Sequence, residues 1–184
     1  MDKSFLLKEI SKPIGKTAVV SLAAKCANSI PELIKLSLHS NYEMAFRAAW
    51  ILEMVATVHQ EHFSEHLNEF IKAYIILKNQ SCQRHFTKIL MGLTDGHFQN
   101  DQSSGFNVEV IVETTFGWMI DPKTPVAVRV NCMDILYNLK DTDDWIADEL
   151  CAQIEFQLTN GTAALQSRGK KIVSRLYKRR RKSQ

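Results

Sequence analysis

One spacing of apolar or small residues returns along the chain: i, i+4, i+7, i+8 and i+11. It is met at Met44, Ala48, Ile51, Leu52 and Val55, then at Cys82, Phe86, Ile89, Leu90 and Leu93. It returns at Val128, Cys132, Ile135, Leu136 and Leu139, and at Leu165, Gly169, Ile172, Val173 and Leu176. A weaker copy is Gly15, Val19, Leu22, Ala23 and Cys26. At 3.6 residues per turn these five positions form one stripe, so each copy predicts an amphipathic helix.

The starts at 15, 44, 82, 128 and 165 leave room for one further helix between successive copies. Those second helices are expected at Ile30–Leu38, Phe63–Leu77, Val108–Ile120 and Trp145–Leu158. Punctuation supports the division. Asn41 and Asn107 stand where a side-chain oxygen can take up the first free helix N–H groups. Pro31 and Pro125 suit a first helical turn. Asp121-Pro122 ends a helix, because proline disfavours the helical conformation of its predecessor. Asn160-Gly161 can end another by taking the left-handed conformation. Thr94–Gly105 is polar and aperiodic, and reads as a long inserted loop, mobile or functional. Only 7 Gly and 4 Pro argue against a turn-rich all-β fold. The fold class is all-α.

Two stretches, Phe46-Arg47-Ala48-Ala49-Trp50-Ile51-Leu52 and Val128-Arg129-Val130-Asn131-Cys132-Met133-Asp134-Ile135-Leu136, each join an apolar–Arg pair to an aliphatic dyad. They resemble the first helix of a HEAT repeat, and the start-to-start spacing is close to the ~40–47 residues of HEAT and armadillo units. The resemblance covers roughly residues 15–178. It implies an α-α superhelix of four to five stacked helix pairs; a closed helical bundle is the alternative. One domain is expected over residues 1–177, followed by a basic tail over 178–184. Families with this fold mostly bind proteins or peptides, and a bacterial branch excises alkylated bases from DNA.

The formal net charge of +3 hides an asymmetry. Residues 168–184 carry nine Lys/Arg and no acid, which leaves 14 basic and 20 acidic groups in residues 1–167, a net of −6. The tail residues Lys178, Arg179, Arg180, Arg181 and Lys182 can bind nucleic acid or another anion, or dock on the acidic body. The N-terminal MDKSFLLKEISKP lacks the apolar run and cleavage site of a signal peptide. The chain has no run long enough to cross a bilayer, so no membrane partner is expected. Cys26, Cys82, Cys132 and Cys151 show no pairing pattern and fit a reducing compartment. The expected location is the cytoplasm, as a monomer or weak dimer.

Candidate chemistry is sparse. His62-Phe63-Ser64-Glu65-His66 matches the H-x-x-E-H string of inverted zinc peptidases, in which two histidines at i, i+4 share a helix face. A solvated polar face explains the same residues, because they lie off the stripe Phe63, Leu67, Phe70, Ile71 and Tyr74. Asp141, Asp143, Asp144, Asp148 and Glu149 surround Trp145; acids in a first helical turn complement the helix dipole, and the glycine and distal Glu of a calcium loop are missing. There is no G-x-S-x-G, G-x-x-x-x-G-K-[ST] or G-x-G-x-x-G string. No enzyme, metal or cofactor is therefore expected. Trp50 and Trp145 are candidate anchors for a protein or peptide partner, while Trp118 is expected in the core. Arg47, Arg84, Arg129 and Arg168 can line one edge of the repeats and meet carboxylates or phosphates, or can bridge neighbouring repeats.

Overall fold

Asn41 and Asn107 each open a helix as their positions predict. The Asn41 Oδ1 accepts from the backbone N–H of Glu43 at 3.1 Å and of Met44 at 3.0 Å. The Asn107 Oδ1 accepts from the Glu109 N–H at 2.9 Å. Each cap contributes about 1 kcal/mol to its helix. The computed structural model describes residues 3–95 and 107–181, and every regular element within them is helical. In chain order these are α1 (Lys3–Ile10), α2 (Lys16–Lys25), α3 (Ile30–Ser37), α4 (Tyr42–Val58), α5 (Gln60–Phe63), a 3-10 turn (Ser64–His66) and α6 (Leu67–Ile76). There follow α7 (Gln80–Thr94), α8 (Val108–Ile120), α9 (Val126–Leu139), α10 (Asp144–Leu158) and α11 (Ala163–Arg180). The expected polar loop after Thr94 lies almost wholly outside the described residues. α11 runs through Arg180, three residues into the segment read as a tail.

The chain divides into two compact units, one up to Ile89 and one from Leu90 onward. In the first, α4 is the centre, with α1, α2 and α3 packed on it and α3 also meeting α6. Its stripe Ala48, Ile51, Leu52 and Val55 is buried, while Met44 is half-buried. The helix expected over Phe63–Leu77 is broken at Ser64–His66. The break accompanies the packing of Phe63 against Phe70. In one straight helix their backbones would be about 10 Å apart along the axis. Here both rings are buried and meet edge-on with centroids 5.2 Å apart, and Phe70 also stacks on Phe86 at 4.9 Å.

In the second unit, α9 is surrounded by α8, α10 and α11, and its whole stripe from Val128 to Leu139 is buried. The turn into α9 is set by Asp121, whose Oδ1 accepts from the Lys123 N–H at 2.9 Å, with Pro125 closing the loop at the N-cap. Asn138 donates from α9 to the Met91 carbonyl at 3.3 Å and to the Thr94 hydroxyl at 3.1 Å. The α10–α11 turn departs from expectation. Gly161 has no left-handed backbone; it is needed because a Cβ there would lie 2.5 Å from the Gln157 carbonyl oxygen. None of the four cysteines is in a disulfide and all are buried, and burial pushes up the thiols of Cys26, to about 11, of Cys82, to about 12, and of Cys132. Among the described residues no helix is long and apolar enough to cross a membrane.

Candidate functional site

Trp145 is the second residue of α10. Asp143 precedes the helix in an extended conformation (φ −155°, ψ 142°), and its side chain makes no capping hydrogen bond. The Thr142 hydroxyl instead donates to the Leu139 carbonyl at 2.7 Å, which fixes the turn out of α9. Trp145 stacks on Phe116 of α8, with centroids 5.6 Å apart and planes inclined by 28°, yet it is 42% exposed. Packing against Phe116 holds the indole in place while part of it stays open to solvent. Beside it opens a pocket of about 220 Å³. Val108, Val112 and Ile146 supply its apolar lining, and Glu109, Thr142 and Asp143 its polar lining. Glu109 and Asp143 are exposed acids, and no basic side chain is among the lining residues.

Immediately before this pocket, Asp141 holds the Arg179 guanidinium of α11 and the Lys140 ammonium, the latter at 3.0 Å. Burial pushes the Asp141 carboxyl up, but the hydrogen bonds and charges of Lys140 and Arg179 outweigh it and hold the group below its usual range. Lys140 also lies 4.5 Å from the centre of the Tyr137 ring, and Arg175 lies 5.8 Å from it. Further along, the Tyr177 hydroxyl donates to Glu155 at 2.6 Å, and that hydrogen bond raises the phenol to about 12.

The four arginines are placed differently. Arg47, only 11% exposed, donates to the Ile10 carbonyl of α1 at 3.0 Å and to Glu43 at 2.6 Å. Arg129 donates to the Met119 carbonyl at 3.0 Å and to the Gln157 side-chain oxygen at 2.9 Å, linking α9 to α8 and α10. Arg168 lies 3.2 Å from an Asp134 oxygen, between α11 and α9. Arg84 is exposed on α7. Of the tail residues, Arg179 is on Asp141, Lys178 and Arg181 are exposed, and the Arg180 side chain and Lys182 lie outside the described residues.

Trp50 is half-buried on α4. It faces His85 of α7 at 6.4 Å in a stacked arrangement, with Phe46 at 5.8 Å. The His85 Nδ1 is hydrogen-bonded to Glu53, whose other oxygen accepts from Lys88 at 2.9 Å. Burial pushes the Glu53 carboxyl up, and the hydrogen bonds from His85 and Lys88 outweigh it, so it lies below its usual range. Sequence reasoning missed Glu53 and His85. A signal existed: Cys82, His85, Phe86 and Ile89 share a helical stripe, and a histidine on an otherwise apolar stripe needs a partner. Trp118, expected in the core, is half-buried, while Phe116 and Met119 beside it are buried.

His62, Glu65 and His66 do not sit on one continuous α-helix, because the 3-10 turn intervenes. His62 and Glu65 are exposed, and His66 Nδ1 lies 3.9 Å from a Glu69 carboxylate oxygen. Among the described residues no group of three or more His, Cys, Asp or Glu could hold a metal ion.

A family model described as a HEAT repeat domain matches residues 6–176. Comparison with curated proteins and with solved structures gives no match.

Proposed function

Because the chain belongs to the HEAT repeat domain family, we propose that it is a non-enzymatic module whose helical repeats bind a protein or peptide as a scaffold or adaptor. The observation that supports this most is Trp145, an indole held by Phe116 yet left 42% exposed beside a pocket. Aromatic anchors of that kind carry a large share of the energy in protein interfaces. The α10–α11 turn adds a second apolar surface, where Phe156 is 79% exposed beside a pocket of about 290 Å³ reached by Arg129. On this reading the protein works without a cofactor, in the cytoplasm, as a monomer or weak dimer.

One observation favours nucleic acid as a second reading. α11 carries seven Lys/Arg and no acid, and Lys170, Lys171, Arg175 and Lys178 are exposed. Carboxylates on Arg168 and Arg179 draw part of that charge inward.

Selection of a displayed random-peptide library on the full chain tests the two readings. Enrichment of peptides that Trp145→Ala no longer retains supports the first. Failure to enrich any peptide, together with duplex DNA binding that falls steeply with salt and disappears on truncation after Tyr177, establishes the second.

A further inference from the structure

We propose that the pocket beside Trp145 is a receptor for one lysine or arginine side chain of a basic partner peptide. This rests on the peptide-binding reading above and names the chemistry of its ligand. The pocket's volume of about 220 Å³ lies below the ~300–1,000 Å³ of small-molecule sites and suits a single long side chain. Its chemistry is graded in the way such a side chain requires. Half-buried Val108, with the buried Val112 and Ile146 beside it, offers apolar surface to a methylene stem, and the exposed Glu109 and Asp143 offer carboxylates to the cationic head. Trp145 also lines the pocket and is 42% exposed, and an accessible indole attracts a cation through its quadrupole.

The starts of α8 and α10 both border the pocket and bring about half a positive charge each. Two full carboxylate charges outweigh them, so the site favours a cation over an anion. Residues 141–149 hold five acids and no base, which extends the negative field beyond the pocket and draws a basic segment toward it. The same stretch already binds one guanidinium, since Asp141 holds Arg179. Next to it Lys140 lies over the Tyr137 ring. Cation, carboxylate and aromatic ring thus already meet within the chain at Lys140, while the lining of the pocket holds carboxylates and an aromatic ring and no basic side chain.

The test titrates the full chain with three fluorescein-labelled nonapeptides of glycine and serine, bearing three arginines, three glutamines or three glutamates. Anisotropy is read at about 50 and 150 mM salt. The arginine peptide is expected to bind, with the others at least tenfold weaker. Trp145→Ala and the pair Glu109→Gln with Asp143→Asn should each weaken it about tenfold, while Trp145→Phe, which keeps a ring, should lose less. Asparagine still suits a helix N-cap, so the paired variant is expected to fold, and circular dichroism melting checks each protein. Arginine-peptide binding indifferent to these substitutions overturns the proposal, as does equal binding of the glutamine peptide. Neutral peptides recovered from the library that depend on Trp145 would overturn the cation pocket and leave the peptide-binding reading standing. If no peptide of any chemistry binds, both fall. A dimer that disappears both on truncation after Tyr177 and with Trp145→Ala would assign the pocket to the tail of a second copy and overturn the separate partner.

Discussion

A Cβ on Gly169 would stand 2.7 Å from Cγ2 of Ile154, so α10 and α11 approach each other through a glycine. The position is buried, and Leu158 would also be met at 3.2 Å. Ile154 is β-branched and stiff at χ1, so it cannot swing aside cheaply. Gly169→Ala is expected to destabilise the protein by about 1–3 kcal/mol, although alanine is the better helix former by about 1 kcal/mol. Urea unfolding checks this, and Ile154→Val, which keeps Cγ2, should not rescue it. Ile154→Ala should partly do so, seen as favourable coupling in a double-mutant cycle. An unchanged midpoint for Gly169→Ala would contradict the close packing.

Gly161 makes a related prediction with a different contact. Its Cβ would meet the Gln157 carbonyl oxygen, a backbone atom, at 2.5 Å. Gly161→Ala and Gly161→Asn should therefore both destabilise, by about 1–3 kcal/mol. A left-handed cap would tolerate asparagine. Thermal melting distinguishes the two, and a wild-type midpoint for Gly161→Asn would restore the left-handed expectation.

Glu53 gives a pH dependence. Its carboxyl lies below the usual value in the folded protein, despite burial, because His85 and Lys88 bond to the charged form. Such a group contributes stability above the unfolded carboxyl's ordinary value of about 4.5, and loses it as pH falls through the folded value. Glu53→Gln should lower the urea midpoint near neutral pH and cost progressively less as pH falls below the ordinary carboxyl range. Parallel pH profiles for wild type and variant would sink this account.

Asp134 has the opposite sign. Burial raises its carboxyl more than Arg168 and Arg175 lower it, and Asp95 raises it further. Ionised Asp134 is therefore a cost at neutral pH that is relieved as pH falls through its raised folded value. Asp134→Asn is expected to be neutral or stabilising near pH 7. Arg168→Ala should destabilise by about 1–3 kcal/mol, because it leaves the carboxylate without its nearest cation. Unfolding of both variants across pH tests the pair, and a strongly destabilised Asp134→Asn would reverse the assignment.

Most of the helices were legible because their signals are local. The stripes at 44–55, 82–93, 128–139 and 165–176, the caps at Asn41 and Asn107, and the stop at Asp121-Pro122 each lie within a few turns of what they specify. The features that escaped depend on distant partners. The break at Ser64–His66 accompanies the packing of Phe63 against Phe70 and of Phe70 against Phe86. Glu53 and His85 are 32 residues apart and become a pair only when α4 and α7 meet. Gly161 reads as a left-handed cap from its neighbours, and only the position of the Gln157 carbonyl gives its different reason. The pocket at Trp145 was half legible: the tryptophan and its acids stand together in the chain, but Phe116, Val108 and Glu109 come from another helix.

The central claim, that a partner peptide is anchored at Trp145, is tested most directly by the indole N–H signals of the protein labelled with ¹⁵N-tryptophan. Trp50, Trp118 and Trp145 are the three tryptophans of the chain, and substitution assigns their signals. Titration with the tightest library peptide should shift the Trp145 signal most and leave that of Trp50, packed against His85, nearly in place. A shift at Trp50 with Trp145 unmoved would contradict the account.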